Sequence, residues 1–179
     1  FLPFTAMNED VLKESDLPQS YRGTYDKAVA AIKMNNHEYA VDLLFAVVRD
    51  NPAFLDGRKM LRRAEVQIHS GKKKKFIDTT AVKLRKPQAT VKKDPLAALS
   101  EIEEVLKEEP LNVGANTLLF EAANLSSMPL TASFALETAL QGKPDRVHRF
   151  LTIYRHVTSA IRLKNPAQDP AAGEIIFHD

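Results

Sequence analysis

Apolar residues recur along this chain in steps of three and four, and prolines set their phase. Ala40, Ala98 and Ala132 each stand twelve residues before a proline: Pro52, Pro110 and Pro144. Leu44, Ile102 and Leu136 stand eight before, and Val47, Val105 and Ala139 five before. The pattern A-x3-[LI]-x2-[VA]-x4-P therefore occurs three times. Steps of four and three keep these residues on one face of a helix. The alanine lets a neighbouring helix approach closely, and the proline, without an N–H, ends the helix. Further stripes at i, i+3, i+4, i+7 are Tyr25, Ala28, Val29, Ile32; then Gly57, Met60, Leu61, Ala64; then Ala115, Leu118, Leu119, Ala122. The pattern predicts an all-α chain with helices at 20–34, 37–50, 53–69, 94–108, 111–125, 129–141 and 144–164. Met34-Asn35-Asn36 and the Ser126–Pro129 stretch fall at turns, and Asp94-Pro95 has the form of an N-cap followed by a first-turn proline.

The interval from Pro110 to Pro144 is 34 residues, and from Pro52 to Pro110 it is 58, or 24 more. A 34-residue period with small-x3-large-x2-small-x4-Pro in its second helix resembles the tetratricopeptide repeat, over about residues 21–164. The first helices lack the Trp and Tyr that this family favours. The resemblance implies a right-handed α-α superhelix of about three helix pairs plus a capping helix at 144–164. It also implies a non-catalytic scaffold, whose first helices line a groove for a partner peptide or helix. Carried over to this chain, the groove side is Arg22, Tyr25, Val29, Lys33, Arg58, Leu61, Glu65, Asn112, Asn116, Leu119, Arg149 and His156. Lys33, Asn112 and Asn116 do not reproduce the Lys/Asn spacing of the clamp with which some members grip a carboxylate terminus, so chaperone binding is not expected. Three repeats are about the fewest that hide a continuous core, which leaves self-association through an uncapped end open.

The surplus of 24 residues is placed at 70–93, as an insertion between the helices of the second repeat. The expected organisation is an N-terminal extension (1–19), a helical domain (20–164, with the insertion) and a C-terminal tail (165–179). Charge singles the insertion out. Lys72, Lys73, Lys74, Lys75, Lys83, Arg85, Lys86, Lys92 and Lys93 face Asp78 alone, leaving the segment at +8; in a chain of net charge +2 the remainder carries −6. Three readings stand. The segment is a solvated loop; or an anion-binding arm for nucleic acid or an acidic membrane surface; or it folds across the acidic stretch of Glu101, Glu103, Glu104, Glu108 and Glu109. Val82, Leu84 and Val91 supply a few apolar anchors, and Phe76 is the arm's one aromatic, which makes stacking on single strands weak.

Composition removes several kinds of chemistry. The chain has no cysteine, which excludes disulfides, Cys-ligated metals and thiol nucleophiles, and fits a cytoplasmic setting. Its six glycines form no phosphate-binding loop, and no Walker, Rossmann, nucleophile-elbow or HExxH pattern occurs. His148 and His156 lie eight apart rather than at the i, i+4 spacing of a helical metal pair. The Glu101–Glu104 run reads as a solvated face. No enzyme activity, cofactor, metal or small-molecule substrate is expected. Residues 1–6 lack the basic and long apolar regions of a signal peptide, and Met7 is a candidate natural start.

Overall fold

The computed structural model describes residues 12–71 and 80–142, and among these it is all helical, with no strand. A short 3-10 turn at Glu14–Asp16 leads into α1 (Gln19–Lys33), α2 (His37–Asp50) and α3 (Leu55–His69). Two short helices follow, α4 (Thr80–Lys83) and α5 (Arg85–Val91). Then come α6 (Pro95–Glu108), α7 (Val113–Leu125) and α8 (Pro129–Gly142). The helix expected at 144–164 lies outside the described residues. No helix among those described is long and apolar enough to cross a membrane.

The proline-phased positions are core positions. Ala40, Leu44, Val47, Ala98, Ile102, Val105, Ala132, Leu136 and Ala139 are all buried. The helix ends repeat too. Asn51 after α2 has φ −132° and ψ 70°, and Glu109 after α6 has φ −136° and ψ 74°. The N–H of each returns to a carbonyl four residues back, Val47 O and Val105 O. Pro52 and Pro110 then prevent continuation.

The α1–α2 and α7–α8 hairpins share one turn. Asn35 and Ser127 take left-handed φ values of 58° and 60°. Their N–H groups bond the carbonyls of Ile32 and Asn124, and the next N–H groups, Asn36 and Met128, reach back to Ala31 O and Ala123 O, both at 2.9 Å. These are paired Schellman closures, which satisfy carbonyls the helix end would leave orphaned. The α5–α6 turn is shorter. Lys93 and Asp94 both donate to Thr90 O, with no left-handed residue, and Asp94 Oδ1 accepts from Ala97 N (3.0 Å) to cap α6 ahead of Pro95.

Two apolar cores result. One joins α1, α2 and α3 through Leu17, Tyr25, Leu44, Val47, Phe54 and Leu61. The other joins α5 to α8 through Leu84, Val91, Leu99, Ile102, Leu106, Leu119 and a set of alanines. Here the architecture departs from expectation. The segment 70–93 is not throughout a loop inserted in an α3–α6 pair. Of its described residues, 80–83 and 85–91 are helical; α5 packs on α6, while α3 packs chiefly on α2. Leu84, Pro87 and Val91, spaced i, i+3, i+7, are buried, whereas Val82 is exposed. That stripe is enough to fold a short basic helix onto the core, and Pro87 falls in the first turn, where its missing N–H costs no helical bond.

Candidate functional site

Where the two cores meet, the filling is ionic. Arg58 and Arg62 stand one turn apart on α3, Glu65 follows on the same face, and Glu103 projects from α6. All four are buried. Arg58 Nε donates to Glu103 Oε1 (2.9 Å), and Arg62 Nη2 to Glu103 Oε2 (2.6 Å), so one carboxylate bridges both guanidiniums. Arg62 Nη1 donates to Glu65 Oε2 (2.6 Å). Arg58 Nη1 also reaches the Pro52 carbonyl (2.9 Å) and Thr131 Oγ1 on α8 (3.3 Å). Burial pushes the Glu65 carboxyl up to about 8, with Glu103 adding to the rise, against the pull of Arg62. Burial pulls Arg62 down, but the carboxylates of Glu103 and Glu65 more than offset this and hold it raised. At the edge of the seam Lys107 lies 4.9 Å over the Phe45 ring and 3.3 Å from Asp42, and its carbonyl meets His69 Nε2 at 2.9 Å.

Above this seam, between α2 and the start of α6, runs a cleft of about 320 Å³. Phe45, Val48, Pro52 and Leu96 give it apolar walls, with Arg49 and Asp94 among its polar lining. Leu96 is one of the few large apolar side chains left exposed among the described residues. Arg58 and Glu103 lie at its inner boundary.

The residues assigned to the groove scatter in the structure. Tyr25, Arg58, Leu61, Glu65, Asn116 and Leu119 are buried; Val29 and Asn112 are half-buried; Arg22 and Lys33 are exposed. Tyr25 packs edge-on against Phe54 at 5.1 Å, Asn112 caps α7 through Ala115 N, and Asn116 Nδ2 holds the Pro110 carbonyl at 3.0 Å. Arg22 is turned back onto the carbonyls of Leu17 (2.8 Å) and Ser15. Arg149 and His156 lie outside the described residues. The physical reason is that the i, i+3, i+4, i+7 face of α1, α3 and α7 is the face that meets neighbouring helices, so its residues fill the protein's own interior.

In the basic segment, Lys72, Lys73, Lys74 and Lys75 lie outside the described residues. Lys83 Nζ sits 2.5 Å from Glu108 Oε1, and Lys86 Nζ 2.8 Å from Glu101 Oε1. Lys86, helped by Thr90, holds the Glu101 carboxyl below its ordinary range. Of the three readings of this segment, folding across the acidic helix describes residues 80–91. Arg85, Lys92 and Lys93 remain exposed.

Arg62, Glu103 and Thr131 were not anticipated as a cluster. A signal existed. Glu103 lies four residues after Leu99 and three before Leu106, on the apolar stripe and not on the solvated face of the acidic run. Arg58, Leu61, Arg62 and Glu65 likewise share an i, i+3, i+4, i+7 face. Among the described residues, no group of three or more histidine or acidic side chains is placed to hold a metal ion. Compared with known proteins, the chain matches no family model, no curated protein and no solved structure.

Proposed function

We propose that the protein is a non-catalytic interaction scaffold, built on a helical repeat similar to the tetratricopeptide repeat, that takes a peptide or helix from a protein partner. The observation that carries this reading is the recurrence of one local design. Three second helices bury the same three register positions, two share a helix end, and two hairpins close with the same left-handed turn. Stacked repeats of this kind create extended surfaces with no chemistry of their own. The right-handed superhelix belongs to the same proposal.

The burial of Tyr25, Arg58, Leu61, Glu65, Asn116 and Leu119 moves the favoured docking position away from that face and onto the cleft between α2 and α6. The cleft is large enough for one or two apolar side chains, flanked by a cation at Arg49 and an anion at Asp94. Phage-displayed peptides selected on the immobilised protein should converge on an apolar anchor, and Leu96→Asp should weaken their binding at least tenfold in calorimetry without changing the circular dichroism. Failure to enrich any peptide above background, or equal binding by Leu96→Asp, rejects this reading.

A further inference from the structure

The α4–α5 segment has two kinds of cation, and they face different partners. Leu84, Pro87 and Val91 turn inward. Arg85, Gln88, Ala89 and Lys92, spaced i, i+3, i+4, i+7, are all exposed and form the opposite, outward face, and Lys93 follows at its end. Arg85, Lys92 and Lys93 make no ion pair among the described residues, while Lys83 and Lys86 are drawn onto Glu108 and Glu101 of α6. These two pairs are largely solvent-exposed, with side-chain exposures of 39% and 49% for Lys83–Glu108 and 81% and 25% for Lys86–Glu101. Exposed pairs of this kind contribute little and are readily exchanged.

We propose that residues 83–93 form a binding ridge for the phosphate backbone of duplex nucleic acid, and that the carboxylates of α6 occupy two of its five cations until the phosphates displace them. Arg85 and Lys92 are seven residues apart, about 10.5 Å along a helix axis. Phosphates of one strand recur every ~3.4 Å along the duplex axis, so a row of cations laid along that axis passes several of them. The outward face offers charge without aromatic rings, which suits a backbone and not unstacked bases. The one large apolar side chain that the α4–α5 segment exposes is Val82, too little for insertion below lipid headgroups, so a membrane is the poorer fit. Glu101 and Glu108 present to Lys86 and Lys83 the same anionic oxygens that phosphates would. This surface is separate from the α2–α6 cleft and stands or falls independently of the scaffold reading.

The test is fluorescence anisotropy of the full chain with a fluorescein-labelled 20-bp DNA duplex, from 50 to 200 mM salt. Wild type should bind at low salt with little dependence on sequence. Arg85→Gln/Lys92→Gln/Lys93→Gln should flatten the slope of log affinity against log salt by about 2.7, three contacts at about 0.9 each. Glu101→Gln/Glu108→Gln should tighten binding several-fold and steepen the slope. A control removing the same charge elsewhere, Glu104→Gln/Glu121→Gln, should do distinctly less. The proposal is overturned by absence of binding at 50 mM salt, by an unchanged slope in the triple variant, or by equal gains in the two carboxylate variants. Tighter binding to vesicles of 30% phosphatidylserine than to the duplex overturns it in favour of a membrane surface. Circular dichroism of each variant keeps folding defects apart from binding defects.

Discussion

The two cores solve the same problem with different side chains. The α1–α3 core is filled by large residues: Tyr25 and Phe54 meet edge to face, with Leu17, Leu44 and Leu61 around them. Gly57 leaves the space that the Phe54 ring occupies; a Cβ there would stand 2.6 Å from Phe54 Cε1. The α5–α8 core relies on small residues. Ala98, Ala115, Ala122, Ala123, Ala132 and Ala135 line its contacts; among the described residues no aromatic is fully buried in it, and α7 and α8 approach one another more extensively than any other pair. The first core is therefore sensitive to lost volume and the second to added volume, and between them lies a junction sensitive to lost charge.

That contrast can be broken hardest at the junction. Glu103→Ala leaves two guanidiniums buried without their shared acceptor, which should cost about 3–5 kcal/mol. Urea unfolding of the variant should be broader than that of the wild type, because the ionic bridge is a main link between α3 and α6. A single sharp transition with unchanged midpoint would show the cores to be joined by other means.

Leu44→Ala tests the first core and should cost about 2–5 kcal/mol, through lost burial and the cavity left behind. Ala122→Leu tests the second and should cost about 1–3 kcal/mol by overpacking, as should Ala98→Leu. Thermal melts of these variants sharpen the comparison. An unchanged melting temperature in both Leu44→Ala and Ala122→Leu would remove the distinction between large-residue and small-residue packing.

A pH slope tests the junction from another side. Glu65 holds its proton in the folded protein up to about 8, but has its ordinary value near 4.5 when unfolded. Between those values the folded state binds more protons, so stability should fall as pH rises across that window and level off above it. Glu65→Gln should flatten this dependence. Chemical denaturation at pH 5, 7 and 9 reads it, and an unaltered slope in Glu65→Gln would reject the assignment.

The helices and their phase were legible because proline and spacing are local. Ala40, Ala98 and Ala132 declare a close helix contact whatever lies opposite, and Asp94-Pro95 declares a helix start without help from the fold. The partner of a face is not local. The stripe of Tyr25, Leu61 and Leu119 says that something covers it, not whether a neighbouring helix or a bound peptide does so, and here it is neighbouring helices. The basic segment left three readings open for a related reason. Nine cations dominate its composition, yet three buried residues, Leu84, Pro87 and Val91, decide how 80–91 folds.

The separation in sequence of the groups that make the ionic junction bears on how the chain folds. The hairpins α1–α2 and α7–α8 close over short loops, and contacts of this local kind form quickly. The bridges from Arg58 and Arg62 to Glu103 span 45 and 41 residues, and the contact from Arg58 to Thr131 spans 73. Such contacts wait on loop closure, so the two halves are expected to gain helical order before the charges between them are enclosed. Removing Glu103 then acts mainly on the rate of unfolding rather than the rate of folding. The junction works as a latch on the native state, setting how long the two halves stay together once joined.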